Sequence, residues 1–223
     1  MLRLILSSNV NIYLIITYVI SALTVIFLAT PFHEFAHSFA ALKLGDYTQR
    51  YNGRNSLNPL NHIDYVGALC ILLFGFGWAK PVGVNSRYFK NPKAGMAITA
   101  FAGPLSNIIL GFVAYVISSL LLIVLPYEYR FLDFVLYVYY FLNFFVEINI
   151  SLAVFNLIPI PPLDGSKILF AFLSNRTYYL IMRYERYFGL ILMALLFSGV
   201  LDYPMMGIKT VIYNLFDILT FWS

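Results

Sequence analysis

A polytopic all-α membrane protein is the fold class this sequence predicts. Three observations carry that reading. The chain of 223 residues is 61% hydrophobic and 11% charged, with a mean hydropathy of +0.80. Soluble domains hold roughly 45–50% apolar and 25% charged residues. The apolar residues are gathered into runs long enough to cross a bilayer, which takes about 20 helical residues. Between the runs lie short stretches of Gly, Pro, Asn and Asp, which break helices. About four to six transmembrane helices are expected. They form one domain over residues 1–223, with no repeat, no low-complexity tract and no linker that sets off a soluble module.

The first span runs from about Ile12 to Lys43. It is too long for the apolar region of a signal peptide, and its removal would take away the polar motif at its end. From Asp46 to Asp64 the chain is polar, with Gly45, Gly53, Asn58 and Pro59 as breakers. A second apolar run, Tyr65 to Ala79, has only 15 residues and contains Gly67, Gly75 and Gly77. That is short for a crossing, so a re-entrant or β-like hairpin, or a half-buried loop, is expected there. It would return both flanking loops to one side. Longer spans follow, Ala94 to Leu125 and Phe131 to Leu157, joined by a loop at Pro126 to Arg130. Pro159, Pro161 and Pro162 break the second of these, and a short helix from Leu163 to Leu173 succeeds it. Phe188 to Leu201 is expected to be the last crossing, and Gly207 to Trp222 an aromatic-tipped interfacial or terminal helix.

Charge placement orients this arrangement. If the hairpin returns to its starting side, eleven of the 14 Lys and Arg residues, from Lys43 to Lys93 and from Lys167 to Arg186, share one face. Arg3, Arg130 and Lys209 are left on the other. The positive-inside rule then puts the N-terminus outside and the end of the first span at the cytoplasmic boundary, in a multi-pass protein of the cell membrane. No basic run resembles a nucleic-acid tract, so no nucleic-acid partner is expected. Cys70 is the only cysteine, which excludes an intrachain disulfide and a cysteine metal cluster; it reads as a small buried hydrophobe.

At the end of the first span stands His33-Glu34-Phe35-Ala36-His37. On a helix the two histidines are four residues and about 40° apart, so both imidazoles reach one metal ion. Glu34 falls between them, where a carboxylate can take a proton from water held by the metal. This is the arrangement of a zinc-dependent hydrolase. A second polar group lies inside the apolar sequence, Asn156-Leu157-Ile158-Pro159-Ile160-Pro161-Pro162-Leu163-Asp164-Gly165. Its prolines leave carbonyls without partners, which is tolerable at membrane depth only where protein or a water-filled cavity surrounds them. Asp164 there is expensive and needs a cation. Capping the following helix is the simpler role for an isolated aspartate. Beside a site with only two histidines, the metal-ligand role is the stronger reading, because His-His-Asp leaves the fourth position open for water.

These motifs resemble the site-2 protease family of intramembrane zinc metalloproteases. His-Glu-x-x-His at the end of the first span is followed by Asn-x-x-Pro-x-x-x-Leu-Asp-Gly ending in Asp164-Gly165. Residues Ser56 to Asp64 and Gly77 to Val82 look like connecting loops of the short, compact members that lack PDZ and CBS modules, and Gly103-Pro104-Leu105-Ser106-Asn107 resembles another recurrent element. The similarity runs from about Pro31 to Leu173. Ser166, Tyr65 and Gly83 depart from the usual pattern. The resemblance implies one zinc ion per chain held by His33, His37 and Asp164, Glu34 as general base, and Asn107 and Asn156 beside the site. It also implies a transmembrane protein substrate within the lipid bilayer; an oligomer is left open.

Either Asn107 or Asn156 would supply an amide N–H to the oxyanion formed during hydrolysis, or pack between helices by hydrogen bonding. His62, the remaining histidine, lies between Pro59 and Gly67 and is expected in a polar surface role and not as a third ligand. Glu147 and Asn149 are polar residues deep in an apolar span, for which interhelical pairing is a sufficient explanation. A metal-ion transporter is the alternative function, but it needs a polar path across the bilayer, and the far halves of the long spans offer few ionisable groups. An inactive relative would be expected to lack Glu34.

Overall fold

The computed structural model describes residues 11–80 and 83–220, and among them every regular element is helical and none is a strand. Helices α1 (Ile12–Thr24) and α2 (Thr30–Lys43) form one rod joined by a π-helical turn at Val25–Ala29. After a single turn, α3 (Thr48–Tyr51), come α4 (Tyr65–Phe74), α5 (Pro92–Val124) and α6 (Asp133–Asn156). The chain closes with α7 (Asp164–Phe170), α8 (Asn175–Met182), α9 (Glu185–Phe197) and α10 (Asp202–Thr220). Among the described residues three pieces are long and apolar enough to cross a membrane: the 32-residue rod, the 33 residues of α5 and the 24 of α6. At 1.5 Å per residue they measure about 36–50 Å, more than the ~30 Å hydrocarbon core. Two further apolar runs of the four to six expected spans form shorter helices, α4 with 10 residues and α9 with 13. Arg3, Pro81, Val82 and Trp222 lie outside the described residues.

The long helices are patterned inside out relative to a soluble protein. On the first rod the large apolar side chains Ile12, Ile16, Ile20, Leu23 and Phe27 are exposed, whereas Thr17, Ser21 and Ala22 are buried. On α5 the buried stripe is Gly95, Thr99, Gly103, Asn107, Gly111, Ala114 and Ser118, one small or polar residue per turn. Helices in lipid gain nothing from hiding apolar surface from one another; small stripes let their backbones approach until dispersion and hydrogen bonds hold them. The seat of each neighbour follows from the stripe. Phe89 packs on Gly95, Ile150 on Gly111, and α2 on Gly103. Helix α6 lies at the centre, and from Phe145 to Phe155 only Glu147 escapes burial.

Two local devices set up the site. Pro31 sits inside the first rod, where it has no N–H for the carbonyl four residues back and its ring crowds that turn. The helix widens into the π turn just before it, and the Thr30 hydroxyl lies 2.9 Å from the carbonyls of Val25 and Ile26. The motif with His33 begins two residues later. The segment Tyr65 to Ala79 does fold back on itself, but as a helix with an extended return and not as a β-like hairpin. Asp64 caps α4 by accepting from Gly67 N–H at 2.8 Å, and Gly75 ends it at φ 81°. The extended return then lies against α4 at two glycines: a Cβ on Gly67 would come within 2.8 Å of the Trp78 carbonyl carbon, and one on Gly77 within 2.8 Å of Ile71 Cγ1.

The polar stretch after the rod folds onto the protein. Asp46 is fully buried and accepts from the backbone N–H of Thr48 at 3.0 Å and of Asn85 at 2.7 Å. His62 is fully buried as well, so its expected surface role is wrong. Its Nε2–H donates to the Ser56 carbonyl at 2.7 Å, and its own carbonyl accepts from Lys80 N–H at 2.8 Å. At the other end of the chain, Glu147 pairs with Lys209 of α10 at 2.7 Å and accepts from the Tyr213 hydroxyl at 2.9 Å, the interhelical pairing expected of it. These three residues line a cavity of about 750 Å³ that no residue of the histidine motif lines. Asn149 instead bonds within its own helix, to the Phe145 carbonyl at 2.8 Å.

Candidate metal centre

Three elements bring three donors together. The helical spacing of α2 puts His33 and His37 on one face, with Nε2 atoms 3.0 Å apart. The break after α6 turns the chain through residues 157–163 and starts α7 at Asp164. That carboxylate does not cap its helix: Leu163 is the cap residue, without a side-chain bond. Instead Asp164 Oδ2 lies 3.2 Å from His33 Nε2 and 3.0 Å from His37 Nε2. All three residues are buried. Gly165 is what allows the turn, since a Cβ there would stand 2.6 Å from the Ile158 carbonyl oxygen and nearer still to Leu157.

The donor set fits zinc. Bonds of about 2.0 Å to nitrogen and oxygen in a tetrahedron place the donor atoms about 3.3 Å apart. The observed separations, 3.0 to 3.2 Å, are close to that edge. The tautomer of His37 is right for it too. Its Nδ1–H donates to the Thr99 carbonyl at 2.7 Å, which leaves the Nε2 lone pair facing the other donors. Asp164 keeps Oδ2 for the centre because its other oxygen is taken by Lys167 Nζ at 3.0 Å. Among the described residues, these three are the group of histidine and acidic side chains close enough to share one ion.

Helix α5 closes the centre from the third side. A Cβ on Gly103 would stand 2.6 Å from His33 Nε2 and closer to His37 Nε2, so only glycine fits against the two rings. Glu34 is buried on α2, 100° round the helix from His33 and 60° from His37 by helical geometry. Asn107 is buried one turn beyond Gly103. Asn156, half-buried in the last turn of α6, donates to the Leu152 carbonyl at 3.0 Å. Lys167, Gly103 and the Thr99 carbonyl carried no role in the sequence. Only Lys167 had a local signal, its position three residues after Asp164 on the short helix.

Fold and centre together define an integral membrane protein with a buried His-His-Asp cluster that could hold a metal ion. The chain belongs to peptidase family M50, the site-2 protease family its motifs resemble, and zinc is the cofactor. The profile of that family matches residues 133–199. The chain is 39% identical over 158 residues to a Bacillus subtilis protein named putative zinc metalloprotease YwhC, over 70% of this chain and 67% of that one. Two Methanocaldococcus jannaschii proteins are also similar. One named a putative zinc metalloprotease is 32% identical over 62% of this chain and 63% of its own length. The other, named a zinc metalloprotease, is 30% identical over 70% of this chain and 35% of its own length. No solved structure matches the chain significantly.

Proposed function

We propose that the protein is an intramembrane zinc endopeptidase, which cuts a peptide bond within or near the transmembrane segment of a membrane-protein substrate. The convergence of His33, His37 and Asp164 against Gly103 carries this reading. The three hold the zinc. Bound zinc supplies Lewis acidity toward a peptide carbonyl and lowers the pKa of water. Glu34, buried on the ligand-bearing helix, takes the proton from the attacking water. Lys167 keeps Asp164 presenting a single oxygen. Asn156 has a second amide N–H, beyond the one given to Leu152, to offer a developing oxyanion.

The site lies near the cytoplasmic face, with the N-terminus outside. The eleven cationic residues on one side support this orientation. His33 is 21 residues into the first span, a rise of about 32 Å, which reaches the far edge of the hydrocarbon core. The test is incubation of the purified protein with a single-span candidate substrate, with and without a zinc chelator, beside Glu34→Gln. Chelation and Glu34→Gln are each expected to abolish cleavage, with the variant still holding about one zinc per chain, because the ligands are untouched. Cleavage by Glu34→Gln at the wild-type rate would falsify the mechanism.

A further inference from the structure

Glu147 and Lys209 form an ion pair in the middle of a membrane-spanning helix, and neither side chain is sealed. The carboxylate is 49% exposed and the ammonium 20%, although the residues around Glu147 on α6 are buried. Glu147 stands about 21 Å along α6 from its start at Asp133 and about 14 Å from its end at Asn156. A charged pair at that depth is too costly to face hydrocarbon; it faces the bundle interior or a polar cavity. The space is there: the cavity of about 750 Å³ between the tip of α4, α6, α9 and α10, which Glu147, Ser151, Lys209 and Tyr213 all line. Its volume is that of a ligand-binding site.

The wall has one polar patch in an apolar frame. Glu147 Oε1 accepts from Lys209 at 2.7 Å and from the Ser151 hydroxyl at 3.4 Å, and Oε2 accepts from Tyr213. A carboxylate has further acceptor positions, and an ammonium has three N–H groups to give. Around the patch stand Leu73, Phe74, Ile148, Met193 and Met205, the methionines able to follow the shape of an apolar guest. The patch carries no net charge and offers donor and acceptor side by side. Its complement is a neutral group with a C=O and an N–H, as in the primary amide of Asn or Gln. A guest ammonium would meet Lys209, and a guest carboxylate would meet Glu147. Lipid does not bring such a group here, since its polar parts stay at the headgroup level.

The cavity is continuous with the segments near the metal centre. Gly75 and Phe76, which begin the extended return after α4, line it. Helices α5 and α6 run antiparallel, with Ser118 bonded to Asn143 and Gly111 against Ile150. The metal-binding rings lie at Gly103, about 12 Å along α5 from Gly111, and Glu147 is about 4.5 Å farther from them than Ile150. The patch is thus about 16 Å from the level of the metal. We propose that this cavity is a second recognition site for the substrate, selecting a transmembrane segment with an Asn or Gln whose amide donates to Glu147 and accepts from Lys209. That residue lies between about 5 positions (extended chain) and about 11 positions (helix) from the scissile bond, the lengths that span 16 Å. The inference rests on the endopeptidase reading.

The experiment measures peptide binding to the purified full-length chain carrying Glu34→Gln, in lipid nanodiscs, so that binding is read apart from cutting. The probes are single-span Leu/Ala peptides with a Gly-Pro pair near one end and a single Asn, or Leu in its place, moved along the span. Asn at about 5–11 positions from the Gly-Pro pair is expected to tighten binding by about 3–20-fold over Leu, the size of one interhelical hydrogen bond in a membrane. Asn elsewhere should bring no gain. Replacing both charges together, Glu147→Leu with Lys209→Met, should remove the gain and leave the affinity of the Leu peptide unchanged. With Cys70→Ser and Met206→Cys added, the introduced thiol on the cavity wall should be labelled more slowly when the Asn peptide is bound. Equal affinity at every position, the result if lipid chains fill the cavity, overturns the proposal, as does no binding of either peptide. A gain that persists in the double variant, or that leaves labelling unchanged, overturns it too. The peptide scan and the labelling decide should the double variant not fold. Cleavage in the chelator assay is scored separately: cleavage without any Asn preference removes this proposal alone, whereas no zinc-dependent cleavage counts against the endopeptidase reading.

Discussion

Gly103 and His37 touch so closely that a Cβ on the glycine would overlap the imidazole Nε2, and it would also stand 2.6 Å from Nε2 of His33. The metal centre is therefore gauged by α5 as much as by the helix that carries the histidines. In an interior packed to this density an added atom forces its neighbours off their rotamers or shifts the backbone. Gly103→Ala should push both rings off their positions and lower zinc affinity along with activity. Gly111→Ala, whose Cβ would meet Ile150 Cδ1 at 3.0 Å on the same stripe, should leave zinc in place. Zinc content of the two purified variants checks this, and equal content would sink the gauge role of Gly103.

Asp164, Lys167 and His62 are expected to separate in a zinc assay. Asp164→Ala removes a ligand and should cost most of the bound zinc. Lys167→Met leaves the ligand but frees its second oxygen, so a partial loss, about 10–100-fold in affinity, is expected. His62→Ala should keep zinc and lose stability, because a buried ring that donates to Ser56 is removed. Loss of zinc in His62→Ala would make it a ligand.

What could be read from the sequence, and what could not, divides along the reach of each interaction. His33 and His37 are related by one helical turn, so their convergence is a property of α2 alone. Asp164 was legible for an energetic reason, a carboxylate placed where only a cation makes it affordable. The seat of Gly103 against the two rings and the use of the Thr99 carbonyl depend on how helices dock, which the local sequence does not state, whereas Lys167 lies one turn from Asp164 on the same helix. His62 was misjudged because a polar residue between breakers looks exposed; its burial depends on the Ser56 carbonyl six residues earlier and on the return of the chain at Lys80. The hairpin was foreseen as a reversal, but its form was set by the Asp64 cap and the close approach at Gly67, which favour a helix over paired strands.

Orientation is open to a labelling test. In a Cys70→Ser background, single cysteines at Asn52 and Asn91 should be shielded from an impermeant thiol reagent added to intact cells. A cysteine at Glu128 should be labelled. All three positions are exposed on the protein, so shielding reports the side of the membrane and not burial. Labelling at Asn52 and Asn91 from outside would move the zinc site to the opposite face.

On the proposed function, a helical substrate must be opened before it is cut. A peptide bond in a helix is covered by its own hydrogen bonds, and exposing those groups in lipid costs several kcal/mol each. Something in the enzyme has to replace the bonds. Residues 157–163 turn through the prolines beside Asp164, and the extended return after α4 presents backbone that can pair with an unwound chain by strand addition. We propose that the cytoplasmic end of a substrate helix unwinds and lies extended along one of these two segments. Gly, Pro or Asn near the scissile bond should therefore speed cleavage, since they lower the cost of unwinding, and Leu or Ala in their place should slow it. Rates for a matched pair of single-span substrates that differ only in those residues measure the effect. Equal rates would show that unwinding is not limiting, and the pairing role of both segments would lose its basis.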